Sequence, residues 1–144
     1  MKQGWYKNVI ALVLAVGPLG AMADIAVIVN PAYAAASASA DDLSKVFLGK
    51  AQVIAGGGHL TPVDQPEGNA ARVSFYDKVC NKNAAQLNAY WSRLIFTGQG
   101  QPPRVIEGGD GAVVDAVAKT ADAIGYVSST AVTASVKVLA TFPN

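Results

Sequence analysis

A single cysteine, Cys80, and a single histidine, His59, stand in a chain of 144 residues. One thiol makes no internal disulfide, so the core alone has to hold the fold. Cys80 falls beside Tyr76 and Val79 in a helical stretch, the setting of a small buried apolar residue rather than of a reactive thiol. No Cys, Asp or Glu sits at ligand spacing around His59, so no metal is expected. Charge is scarce and balanced, with 11 basic and 10 acidic residues. Such a balance excludes a nucleic-acid surface, which would be strongly basic. No Ser or Lys stands beside an obvious base. Asp64 and Glu67 form a carboxylate pair only on a turn, where acidic residues are common. The chain is therefore expected to be no enzyme and to carry no cofactor.

A hydrophobic run long enough for a comfortable membrane span is also missing. The one candidate, residues 9–20, is preceded by Lys2 and Lys7 and followed by Ala21, Met22 and Ala23. Basic start, apolar middle and small-residue end make the pattern of a cleavable export signal over residues 1–23. No cysteine lies near residue 23, so a lipid anchor is not expected. Residues 24–144 then form one domain, long enough for a core without staples. Setting aside Lys2 and Lys7 turns the formal charge of +1 slightly negative. A periplasmic location follows from this reading.

Within residues 24–144 the pattern alternates. The stretch 25–29 (IAVIV) is an uninterrupted apolar run, as in a strand buried on both faces. Ser39 with Asp42 opens a helix whose apolar stripe is Leu43, Val46 and Phe47, and Gly49 closes it. Three glycines at 56–58 read as a flexible turn. Asn83 caps a second helix in which Leu87, Tyr90, Trp91, Leu94 and Ile95 recur at helical spacing. Tyr90 and Trp91 at that spacing are expected in the core rather than on a stacking surface. Residues 96–104 read as a Gly/Pro loop, and Asp110 as the cap of a helix carrying Val113, Val114 and Val117. A strand at 123–127 and an edge strand at 136–139 close the chain. Strands alternating with helices predict an α/β layer around one mostly parallel central sheet flanked by helices.

The stretch that organises the rest is 60–75 (LTPVDQPEGNAARVSF). A short apolar strand runs into turn residues and then into helical spacing. That order aims free backbone N–H groups and a positive helix end at one spot, which is how a fold makes an anion site.

Three segments together resemble a known family. Residues 42–50 (DLSKVFLGK) resemble the helix of the phosphate-type periplasmic solute-binding proteins of ABC importers. Residues 61–75 are similar to that family's strand, anion loop and helix, and 123–127 (AIGYV) to its GAIGYV strand. They occur in the family's order. The resemblance implies a type II periplasmic-binding-protein-like fold, and the three motifs belong to one of its two lobes, so a solitary lobe is expected.

The resemblance also implies a site, and marks where this chain departs from it. Phosphate binders carry Arg, then Ser-Asp-Gly, then Ser-Gly-Thr. Here Gln65 stands for the Arg, Glu67 and Gly68 match the Asp-Gly, and Asn69, Ala70 and Ala71 replace Ser-Gly-Thr. Donors left to a ligand are the N–H groups of 69–72 and the Asn69 amide, while Arg72 is expected to lie along its helix. Glu67 without a nearby cation disfavours an anion there. Two functions follow: a module that binds a small anion at Gln65, Glu67, Gly68, Asn69, Ala70, Ala71 and Arg72, or an accessory protein that docks on an exported or membrane partner. In either case a second copy or a protein partner is expected to complete the missing lobe.

Overall fold

The structure, a computed structural model, describes residues 23–144; residues 1–22, where the export signal is expected, lie outside the described residues. The apolar run at the start of the described chain becomes β1 (Ile25–Val29), all five of its residues buried. Burial on both sides sets its neighbours. Ile25, Val27 and Val29 face one core with α1 (Ala40–Phe47). Ala26 and Ile28 face a second core on the other side of the sheet. Alternation along a strand is what lets one apolar run serve two cores.

β2 (Thr61–Asp64) leads into α2 (Ala70–Phe75), which passes into a π-helical turn (Tyr76–Cys80) and ends at Asn81, in the left-handed region at φ 55°. α3 (Ala84–Phe96) starts with a full capping box: Asn83 Oδ1 accepts from Gln86 N and Gln86 Oε1 accepts from Asn83 N, both at 2.9 Å. β3 (Arg104–Val105), α4 (Asp110–Lys119), β4 (Ala123–Ser128) and β5 (Lys137–Phe142) complete the order. β3 starts at Arg104, the last residue of the stretch read from sequence as a Gly/Pro loop. Two residues give too little pattern to be seen without the partner strand.

The sheet order is β3-β2-β4-β1-β5. β2 runs parallel to β3 and to β4, whereas β1 pairs antiparallel with β4 and with β5. Four strands therefore point one way and β1 alone is reversed. α1, α2 and α3 cover the face carrying Tyr126 and Ile124, and α4 covers the face carrying Val63 and Val127. Gly125 in β4 allows that second layer to come close. A Cβ there would stand 2.8 Å from Val113 Cγ1 and 3.2 Å from Val63 Cγ2.

The glycine turn is more than a flexible link. Tyr33 is buried, its hydroxyl donates to Gly58 O at 2.8 Å, and its ring occupies the space a Cβ on Gly57 would need. The Tyr33 carbonyl in turn accepts from Lys137 Nζ, and Ala38 N donates to Leu139 O at 3.3 Å, so residues 33–38 lie along the outer edge of β5. Covering an edge strand in this way blocks unwanted pairing.

Candidate ligand site

β2 delivers Asp64 and Gln65 into the interior, because the strand's last residues point between the two helical layers. Asp64 is 4% exposed and Gln65 is fully buried. The Asp64 carboxylate accepts from the hydroxyl of Tyr76 at 2.8 Å, from the hydroxyl of Tyr126 and from Gln65 N at 2.8 Å. Three donors on one buried carboxylate replace the water it lost. Both phenols are held neutral: burial above all, then the Asp64 charge, pushes Tyr76 and Tyr126 well above the usual tyrosine range. Phe75 stacks on Tyr126 at 4.2 Å between centroids and 4° between planes, fixing the ring that supplies one of these donors.

The Gln65 amide turns inward. Its Nε2 donates to Asp110 Oδ1 and to the carbonyl of Tyr126, both at 3.0 Å, and its Oε1 has no partner among the described residues. Asp110 sits at the first position of α4, one residue inside the cap expected from sequence, because Gly109 occupies the cap itself. The other Asp110 oxygen accepts from Ser128 N at 3.1 Å. A carboxylate at a helix start is favoured by the helix dipole, and here it also consumes the donors of two other elements.

The rest of the loop turns around it. Gly68 holds a positive φ of 88°, a conformation that favours glycine, and Asn69 caps α2 by accepting from Arg72 N at 3.0 Å. The Asn69 carbonyl oxygen is thus spent on the cap. The N–H groups of Ala70 and Ala71 have no acceptor among the described residues. Arg72 departs from the expectation that it lies along its helix. Its guanidinium returns to the loop, donates to Gln65 O at 3.0 Å and lies 5.5 Å from the centre of the Tyr76 ring. A carbonyl and an aromatic face outcompete water for that cation. Glu67 accepts only a long bond, 3.4 Å, from Asn88 Nδ2.

The expected site residues therefore come together on one loop, but they divide among three cavities. Asn69, Ala70 and Ala71 line a cavity of about 360 Å3 with Asp110 and Ser128, and Glu67 and Arg72 line one of about 320 Å3 with Trp91 and the Pro102–Pro103 corner, while Glu67, Gly68, Ala70 and Arg72 share a third, of about 510 Å3, with Val73 and Tyr76. Sequence reasoning missed Asp110, Tyr126 and Tyr76. A signal existed for Tyr126: a tyrosine inside a buried strand needs a partner for its hydroxyl. No local signal couples Asp110 to Gln65. His59 Nδ1 lies 3.3 Å from Asp122 Oδ2, which also accepts from Thr61 Oγ1 at 2.8 Å. That Thr61 bond holds the Asp122 carboxyl below its usual range. Among the described residues no cluster of His, Cys, Asp and Glu could hold a metal ion, and no helix is long and apolar enough to cross a membrane.

A reversed first strand in an otherwise co-directional sheet, helices on both faces and a strand–loop–helix at the C-terminal end of β2 make the fold of one lobe of a periplasmic-binding-protein-like structure. Solved structures bear this out. The chain is similar to a putative phosphate ABC transporter substrate-binding protein with bound phosphate from Clostridium perfringens, with a TM-score of 0.66 and 21% identity over 83% of this chain and 45% of that one. An ABC-type phosphate transport receptor from Vibrio cholerae matches with a TM-score of 0.64 and 16% identity, over 83% of this chain and 46% of that one. PstS from Borrelia burgdorferi matches with a TM-score of 0.62 and 15% identity, over 83% and 47%. The chain spans a little under half the length of these proteins. No family model matches the sequence, and no curated protein does.

Proposed function

We propose that the chain is an exported lobe of the solute-binding type that acts as an accessory module, docking on a protein partner through the face formed by Glu67, Gly68, Asn69, Ala70 and Arg72, above the buried Gln65 and Ala71, and that it does not capture phosphate there. The observation that carries this reading is the Asp110 carboxylate, which takes up the Gln65 amide and the Ser128 N–H. A bare oxyanion at the start of α2 would meet that charge. Two like charges 4 Å apart repel by about 4 kcal/mol near a protein surface. A protein surface brings donors and acceptors together and can satisfy both the free N–H groups and the carboxylates. The signal pattern of residues 1–23 supports export, and the fold shared with solute-binding proteins supports the binding-lobe reading by analogy.

A second reading, capture of a small anion at the same loop, is favoured by the open N–H groups of Ala70 and Ala71 and by the return of Arg72 to the loop. A thermal-shift titration of the full chain with millimolar phosphate and sulfate separates the two. The docking reading expects no saturable rise for the wild type and a phosphate response once Gln65→Arg is combined with Asp110→Asn. A saturable rise in the wild type would overturn it in favour of the second reading. A photo-crosslinking residue at Asn69 in expressing cells should give a discrete adduct, and its absence would count against docking by this face.

A further inference from the structure

A second concavity, about 460 Å3, opens at the other end of β2, between the sheet, α1, α3 and residues 99–104. Its floor is apolar, built from Phe47, Leu60, Val63, Trp91 and Leu94. The rim is polar and carries Gln52, Gln99, Gln101 and Arg104, with His59 and Thr61 beyond them. Its size falls in the range of small-molecule pockets, roughly 300–1,000 Å3, and its mixture of apolar floor and few polar groups is theirs as well.

Two features say what it would take. First, none of the residues lining it is acidic. The cavities beside the 64–72 loop differ in this respect, since Asp110 lines one, Asp64 and Glu67 line another and Glu67 lines the third as well. Asp122 is bonded to His59 and Thr61 and does not itself line the concavity. Arg104 is exposed on the short edge strand β3 and forms no ion pair among the described residues. Second, the floor is shaped around an indole. Trp91 is 7% exposed, and glycines flank it: a Cβ on Gly49 would lie 3.2 Å from its ring and one on Gly100 would lie 3.7 Å away.

An inorganic anion would leave the apolar floor uncovered, and a hydrocarbon would leave the guanidinium without a partner. We propose that this concavity binds a small organic monocarboxylate with an apolar ring: the ring covers Trp91 and Leu94, and the carboxylate meets Arg104, with the amides of Gln99 and Gln101 beside it. The planar guanidinium fork matches a carboxylate with two parallel hydrogen bonds. This site shares the Trp91 and Pro102–Pro103 wall with the cavity beside Glu67 and Arg72 but is lined by none of residues 64–72.

The experiment is isothermal titration of the full chain with benzoate and indole-3-acetate, using benzyl alcohol and inorganic phosphate as comparators. The carboxylates should bind saturably and phosphate should not. Arg104→Gln should weaken carboxylate binding about tenfold and leave benzyl alcohol unchanged. Gly100→Leu, which fills the space beside Leu94 and Trp91, should abolish both. Absence of saturable binding by either carboxylate, or equal carboxylate affinity in Arg104→Gln, would overturn the proposal. Should Gly100→Leu fail to fold, the Trp91 indole N–H resonance, assigned with Trp5→Phe, gives an independent reading in the otherwise unchanged chain. A shift of that resonance on adding indole-3-acetate supports the site, and a resonance that does not move overturns it.

Discussion

Gln65 Nε2 donates to Asp110 Oδ1 at 3.0 Å, joining the end of β2 to the start of α4 across 45 positions of the chain. One amide thereby ties the loop to the helix on the opposite face of the sheet. The same amide donates to the Tyr126 carbonyl, so three elements meet on a side chain fully removed from water.

Replacing that amide by a carboxylate tests the arrangement. Gln65→Glu removes the donor and sets a second negative charge against Asp110 in a buried position. The expected loss at pH 7 is about 3 kcal/mol or more, the scale of an uncompensated buried charge. Urea denaturation at pH 7 and pH 4.5 checks it. The deficit should shrink at the lower pH, where the new carboxyl is protonated. An equal deficit at both values would mean that charge is not its cause.

The two buried phenols predict alkaline unfolding. Their folded pKa values lie above the unfolded value of 10.0. A raised pKa leaves the native state holding protons that the unfolded state has released. Stability from this source is complete below pH 10 and falls as pH rises beyond it. The slope is about 1.4 kcal/mol per pH unit for each phenol. Denaturation midpoints between pH 9 and 12 should fall accordingly, with Tyr33 and Tyr90, also raised by burial, adding to the slope, and Tyr76→Phe should make the fall shallower by one phenol's share. A stability that stays flat through this range would contradict the buried pair.

Gly125→Ala tests the spacing of α4 on the sheet. Its new methyl would meet Val113 Cγ1 at 2.8 Å, too close without movement. Overpacking of this kind costs about 1–3 kcal/mol. The Val113→Ala background makes room and should recover much of the loss. A double-mutant cycle with no coupling would argue that the two residues do not touch.

The start of α3 should depend on Asn83. Asn83→Ala removes the side-chain acceptor for Gln86 N, leaves the residue-83 N–H that Gln86 Oε1 accepts from, and should cost about 1 kcal/mol. Phe96, at the other end of the same helix, is 91% exposed. Phe96→Ser should therefore leave the unfolding midpoint nearly unchanged, within about 0.5 kcal/mol. Thermal unfolding of the two variants side by side reads the contrast.

Much of the fold was legible because it rests on local pattern. The run at 25–29 announced a strand buried on both faces, and Leu87, Tyr90 and Trp91 announced the buried stripe of α3. The same stripe misled at its end: Ile95 keeps the helical spacing but is 54% exposed, because the helix runs past the edge of the core it covers. The π-helical turn at Tyr76–Cys80 was invisible, since its residues fit an ordinary helix equally well. At the candidate site, the loop could be read from turn residues. The inward turn of Gln65, the return of Arg72 and the part taken by Asp110 could not. Each depends on which side chains the sheet order brings within reach, and no residue spacing encodes that order.

The reversal of β1 has a consequence for how the domain can be carried. Because β1 enters and β5 leaves at the same end of adjacent strands, Asn144 Nδ2 reaches the carbonyl of Ala23 at 3.3 Å, and Asn144 N lies 3.4 Å from Asp24 Oδ1. A unit whose entry and exit touch asks a host chain to part by no more than the width of a hairpin. It can be spliced into a surface loop of another protein, or have its ends joined and a new opening cut elsewhere, without disturbing its sheet.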